Sequence, residues 1–294
     1  MAPGRQVARK AITAVLALFG VVPAVRADET QVLCTTFPIY QVTRNVAEGR
    51  EKTQVRLLLS SSLGCPHDYA LTPQDLRKIE AARILVVNGL GLESFLDLPA
   101  LARRPGRVVI DSSGGPHAGA EKNPHLFASP RLSAQLAANI AAGLTRADPE
   151  GASLYAANTA RYTARMEALA AEFAALGKKL RNRRVVLQHE AFDYLAREIG
   201  LETVAVLQLH DGQEPSAAEL LRIVGAARTA GAGAVFTEPQ YSVTAGRTLA
   251  RELGIPAAVL DPGAAGPEDA PLDHYDTVMR RNLEVLRATL GIRK

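Results

Sequence analysis

Eight short apolar runs, divided four and four by one long helical segment, limit this chain to very few folds. Residues 32–36, 55–59, 84–87 and 108–110 come before the division, and 185–188, 203–208, 234–236 and 257–260 come after it. Amphipathic stretches such as 73–81, 216–227 and 245–253 lie between them. Short apolar strands alternating with helices imply parallel sheets with both faces covered, because a parallel neighbour is reached only by a crossover. The expected fold is α/β, with two lobes that are each a four-stranded parallel sheet flanked by helices.

The dividing segment, about 149–180, places Tyr162, Met166, Leu169, Phe173, Leu176 and Leu180 at spacings of four and three, which is one apolar stripe of a helix. No proline follows Pro149 within it, and Gly177 comes only near its end. Roughly 30 residues at 1.5 Å each make a rod of about 45 Å, the size of a domain. Such a rod runs along both lobes and stiffens their connection; a coiled-coil dimer is the alternative. The expected organisation is a first lobe over 28–147, a linking helix over 148–181 and a second lobe over 182–294. The Gly- and Pro-rich stretches 112–119 and 262–271 read as loops.

The first 27 residues read as a secretory signal peptide. Arg5, Arg9 and Lys10 precede an apolar run over 11–22, and Val25-Arg26-Ala27 offers a small-residue cleavage site. About a dozen apolar residues are too few to span a bilayer. Cys34 follows Gln31-Val32-Leu33, which is a poor lipid-anchor motif, so a soluble periplasmic protein is expected. Arg5, Arg9, Lys10 and Arg26 lie in the signal, so the 34 basic residues fall to 30 in the mature chain, against 30 acidic. That balance removes any charge argument for nucleic acid or a membrane surface. Cys34 and Cys65 are open to three states in an oxidising compartment: a disulfide, free thiols, or a metal-ligating Cys65 two residues before His67.

Three histidines on separate segments carry the chemistry. His67 lies in Gly64-Cys65-Pro66-His67-Asp68-Tyr69, His125 in Asn123-Pro124-His125-Leu126-Phe127, and His189 in Gln188-His189-Glu190-Ala191-Phe192. Each follows a strand, as does Asp261 after 257–260. Ligands of open α/β sheets bind beyond the carboxyl ends of the strands, so two candidates per lobe point to one site in the cleft between lobes. Three neutral imidazoles and one carboxylate suit Zn²⁺, with Mn²⁺ or Fe²⁺ as the alternatives. Taken singly, each histidine has a blander reading as a hydrogen-bonded or surface residue, and His117, His210 and His274 keep it. Asp261 before Pro262 also reads as a turn cap, and Glu238 as a fourth ligand or an acceptor for a ligand.

With these pieces in order, the sequence resembles the periplasmic receptors of zinc and manganese ABC transporters, the cluster A-I family. The resemblance runs through Thr35-Thr36-Phe37-Pro38-Ile39-Tyr40, Pro66-His67-Asp68-Tyr69, Asn88-Gly89-Leu90-Gly91-Leu92-Glu93 and Asn123-Pro124-His125. It continues through His189-Glu190-Ala191-Phe192-Asp193-Tyr194, Glu214-Pro215-Ser216, Phe236-Thr237-Glu238-Pro239-Gln240, Asp261-Pro262 and residues 275–286. It implies two α/β lobes joined by a rigid helix, with metal held between them by His67, His125, His189 and Asp261. It also implies a monomeric, non-enzymatic receptor that passes its ion to an inner-membrane ABC permease. Two departures bear on the metal. The family's usual Asp before Pro-His is Asn123, and the 112–122 loop holds only His117 where many zinc-specific members carry a long His-rich insertion. His189 stands where manganese-preferring members tend to carry Glu, and the softer imidazole favours zinc.

A secreted zinc hydrolase is the competing reading, with Glu190 or Glu238 as general base. His189-Glu190 starts like a His-Glu-x-x-His helix, but Asp193 occupies the position of the second histidine, and no Gly-x-Ser-x-Gly elbow is present.

Overall fold

The computed structural model describes residues 30–63, 66, 69–114, 123–208 and 215–292. The expected signal peptide, His67, Cys65, His117 and His210 lie outside them. All eight expected strands form. The first lobe contains β1 (Thr30–Cys34), α1 (Phe37–Val46), β2 (Thr53–Leu57), α2 (Pro73–Ala81), β3 (Ile84–Val87), α3 (Leu98–Ala102), β4 (Val108–Asp111) and α4 (Pro130–Ala147). The long helix α5 (Ala152–Lys179) follows. The second lobe contains β5 (Arg184–Leu187), α6 (Asp193–Ile199), β6 (Glu202–Val206), α7 (Ala217–Ala230), β7 (Ala234–Thr237), α8 (Thr244–Leu253), β8 (Ala257–Val259) and α9 (His274–Leu290).

Local chemistry sets the helix starts. Thr72 and Asp75 form a reciprocal capping box with Pro73 at the first helical position of α2, and Ser216 and Glu219 do the same for α7. The two sheets share one topology. Their strand orders are β2-β1-β3-β4 and β6-β5-β7-β8, parallel throughout. The chain reverses its direction of winding between β1 and β3, and again between β5 and β7. Each lobe therefore has a crevice at the carboxyl ends of its two central strands.

Strand residues alternate between two cores, as the pleat requires. Val32, Cys34, Ile84 and Val86 face a large central core, while Leu33, Leu85 and Val87 face a smaller outer one. In the second sheet Val185, Leu187 and Phe236 join the same central core, and Val186 and Val235 face another outer one. Tyr162, Met166, Leu169, Phe173 and Leu176 of α5 belong to that central core too. The apolar stripe thus packs within its own chain, against α1 and α4 on one side and α6 and α9 on the other. Gly177 has a packing reason: a Cβ there would run into the carbonyl of Ile199 at the end of α6. The expected helix differs at its edges, since 149–151 form a 3-10 turn and Leu180 pairs with Ile292 in an isolated bridge.

Polar ties cross between the lobes as well. Arg44 Nη1 and Asn45 Nδ2 donate to the carbonyls of Ala270 (2.6 Å) and Leu272 (3.0 Å). Tyr275 Oη donates to the Phe127 carbonyl at 2.7 Å, and Ser129 Oγ to the Glu198 carboxylate at 2.9 Å.

Candidate metal centre

His125 sits on the segment that leads into α4. Its backbone N–H and its Nδ1 both donate to Asn123 Oδ1, at 2.9 and 2.7 Å. Because that oxygen only accepts, the ring carries its proton on Nδ1 and its lone pair on Nε2. Asn123 does here what a carboxylate would do, without the charge. Its Nδ2 donates to the Glu190 carbonyl at 2.8 Å, and its own carbonyl accepts from Tyr194 Oη at 2.8 Å. The His125 segment is thereby fastened to the second lobe.

His189 comes two residues after β5, in extended backbone, ahead of a 3-10 turn over Glu190–Phe192. Its Nδ1 lies 2.5 Å from Glu238 Oε1, at the end of the neighbouring β7, which is the crevice that topology singles out. Gln240 Nε2 donates to the other oxygen of Glu238 at 2.8 Å. Burial pushes the Glu238 carboxyl up, His189 opposes that rise, and the charge of Asp261 adds to it. A carboxylate in this position fixes the His189 tautomer and leaves Nε2 basic.

The two Nε2 atoms converge from opposite lobes to 3.3 Å, with the rings nearly perpendicular at 87°. Both imidazoles are 1% exposed. Two lone pairs at this separation repel unless a cation or a proton lies between them. With Zn–N bonds of about 2.05 Å and a tetrahedral angle, two nitrogens on one ion stand about 3.3 Å apart. Phe127 meets the His125 ring edge-on and Tyr241 the His189 ring, closing apolar walls around the pair.

The remaining candidates divide. Asp261 lies within electrostatic reach of Glu238, but its Oδ1 accepts from the Gly263 N–H at 2.8 Å, the turn-capping geometry of the blander reading. Burial raises its carboxyl. Among the described residues no three His, Cys, Asp or Glu side chains gather as a metal-binding group; the two imidazoles stand as a pair. Cys34 is buried, and burial pushes its thiol up to about 12; Cys65, and with it the disulfide reading, lies outside the described residues. His274 packs edge-on against Phe37. Glu93, whose motif gives no hint of a role for it, is a buried carboxylate held by Thr35 Oγ1 at 2.6 Å and by the N–H groups of Asn88 and Gly89.

Residues 32–289 match the family described as zinc-uptake complex component A, periplasmic (ZnuA). The chain belongs to this family. It is 29% identical over 289 residues to the high-affinity zinc uptake system protein ZnuA of Bacillus subtilis, covering 91% of this chain and 90% of that one. It is 27% identical to the zinc-binding protein AdcA of Streptococcus pyogenes, covering 90% of this chain but 56% of that longer protein. Among solved structures, the solute-binding protein FpvC of Pseudomonas aeruginosa with Ni²⁺ superposes with a TM-score of 0.77 at 29% identity, over 89% of this chain and 97% of that one. The same protein has also been solved with Mn²⁺. The ZnuA fold, two parallel sheets joined by a long helix, is the one described above.

Proposed function

We propose that the chain is an exported receptor that captures a divalent transition metal, zinc foremost, between its lobes and delivers it to a membrane ABC permease. The observation that carries this reading is the 3.3 Å approach of His125 Nε2 and His189 Nε2, with His125 Nδ1 donating to Asn123 and His189 Nδ1 in contact with the Glu238 carboxyl. His67 and Asp261 complete the ligand set in this proposal, and the ion is cargo, with no reaction performed on it. Glu238 is engaged by His189 and Gln240, which leaves it poorly placed as the general base a hydrolase needs. Among the described residues no helix is long and apolar enough to cross a membrane. Residues 1–27 supply the export signal, and the mature chain acts as a periplasmic monomer.

The test is metal content by mass spectrometry after chelator stripping and reloading with equimolar Zn²⁺, Mn²⁺, Ni²⁺ and Fe²⁺. One equivalent of zinc, lost in His67→Ala, His189→Ala and Asp261→Ala, is the expected result. Retained zinc in the Asp261 variant removes that residue from the set. Manganese or nickel in place of zinc keeps the role and changes the cargo, and no retained metal refutes the receptor reading.

A further inference from the structure

A buried carboxylate without a cation needs a reason. Glu93 is 2% exposed, and the described groups that act on its carboxyl are hydrogen-bond donors, with no lysine or arginine among them. Leaving an anion in such a place is costly unless hydrogen bonds replace its water. Here Oε1 accepts from Thr35 Oγ1 at 2.6 Å and the Asn88 N–H at 2.7 Å, and Oε2 from the Gly89 N–H at 3.1 Å. These donors come from the ends of β1 and β3, so Glu93 stitches the crevice of the first lobe as Glu238 stitches that of the second.

The backbone that Glu93 holds carries a second clamp. Gly89 has φ +89°, and a Cβ there would collide with Asp111 and Ser113, so the turn after β3 is locked against the end of β4. That turn aims the fully buried Asn88 side chain at the His125 segment. Asn88 Nδ2 donates to the Pro124 carbonyl at 2.9 Å and to the Gly89 carbonyl at 3.1 Å, and the Asn88 carbonyl accepts from Ser112 Oγ at 3.0 Å. Pro124 immediately precedes His125. The second lobe grips this segment through Glu190, Tyr194, Glu198 and Tyr275. Asn88 supplies the counter-hold from the first lobe's own sheet.

We propose that Glu93 and Asn88 are positioning residues of the metal centre: Glu93 fixes the turn, the turn fixes Asn88, and Asn88 fixes the backbone that aims His125 Nε2 at His189. The inference rests on the receptor reading for its metal-binding consequence, though its geometric part does not. A merely structural role would lower stability without moving the imidazole. Burial raises the Glu93 carboxyl while its hydrogen bonds pull it down, in keeping with a group retained for its acceptors.

The experiment compares the mature wild type with Glu93→Gln, Asn88→Ala and a control, Asn158→Ala. Asn158 is an equally buried tie, donating to the carbonyls of Val46 and Glu48 on the far side of the lobe. Three readouts are taken: the unfolding midpoint without metal, the His125 ring signals in the metal-free protein by nitrogen-15 NMR, and the Zn²⁺ dissociation constant by chelator competition. Glu93→Gln and Asn88→Ala should each move the His125 signals and weaken zinc about tenfold, the lower end for groups behind a ligand. Asn158→Ala should lower the midpoint and leave the other two readouts unchanged. Folded Glu93→Gln and Asn88→Ala proteins with unmoved His125 signals and wild-type affinity overturn the proposal. If Glu93→Gln does not fold, Asn88→Ala alone decides. A wild type that binds no zinc refutes the receptor reading, and the His125 signals then still decide the positioning.

Discussion

Replacing Glu238 by Gln separates metal affinity from stability. The carboxylate touches His189 Nδ1 at 2.5 Å, and an ion on Nε2 would lie across the ring, roughly 6–7 Å from the charge. A unit charge and a divalent ion at that distance attract by about 1 kcal/mol in water and about 5 kcal/mol at an effective dielectric of 20. Groups behind a metal ligand typically contribute a factor of about 10–100, or roughly 1.4–2.7 kcal/mol, which lies inside that bracket. Glu238→Gln keeps the shape and an oxygen acceptor, so the expected loss is about tenfold, and Glu238→Ala should approach a hundredfold. Stability should not follow. Because burial raises the Glu238 carboxyl, its ionised form opposes folding above the ordinary carboxylate range. The metal-free Gln variant should therefore be at least as stable as the wild type at pH 7. Chelator competition for Zn²⁺ and urea unfolding without metal measure the two quantities. Unchanged affinity, or a loss of affinity that tracks a lowered midpoint, would refute the reasoning.

Zinc affinity should fall as pH drops from 8 to 5, because an imidazole ligates metal only when neutral and the proposed ligands include His125 and His189; calorimetry in buffers of different ionisation heat should show protons released on binding. Arg50 holds the Asp148 carboxyl below its usual range through paired contacts of 2.8 and 2.9 Å. The stability this pair contributes is present above about pH 4 and lost as the carboxyl protonates below it, so Arg50→Met should destabilise at pH 7 and far less near pH 2, read by urea unfolding. Small-angle scattering should give nearly the same radius of gyration with and without metal, and a large contraction would contradict the stiff connection ascribed to α5.

The fold was legible because its signals are local and periodic. Each strand is a short apolar run, and the α5 stripe has helical spacing. Edges moved where hydrogen bonding outlasts strand geometry: the Leu58 and Leu59 N–H groups still donate to Cys34 and Thr35 beyond the end of β2. The α4 helix, which packs along α5, is signalled in the sequence only by its start, where Ser129 caps it and Pro130 opens it. Within the candidate site, the motifs singled out His125 and His189 as expected ligands, but the distance between their nitrogens exists only once two lobes are folded. Asn123 stands where the family usually has Asp, and its hydrogen bonds show that the amide orients the imidazole as well. The roles of Glu93 and Asn88 were illegible for a different reason. A turn residue has no periodicity, and which way it points depends on the sheet beneath it.

The central core passes from one sheet through α5 to the other, so the lobes share one frame, and in the proposed receptor the span between the two imidazoles would serve as a gauge. Across a fixed span, bond length dictates angle. A small ion with short bonds to both nitrogens subtends a wide, near-tetrahedral angle, whereas a larger ion subtends a narrower one that suits six-fold coordination and asks for further ligands. A stiff frame can in this way discriminate between metals of equal charge by the geometry it leaves them, without closing around either.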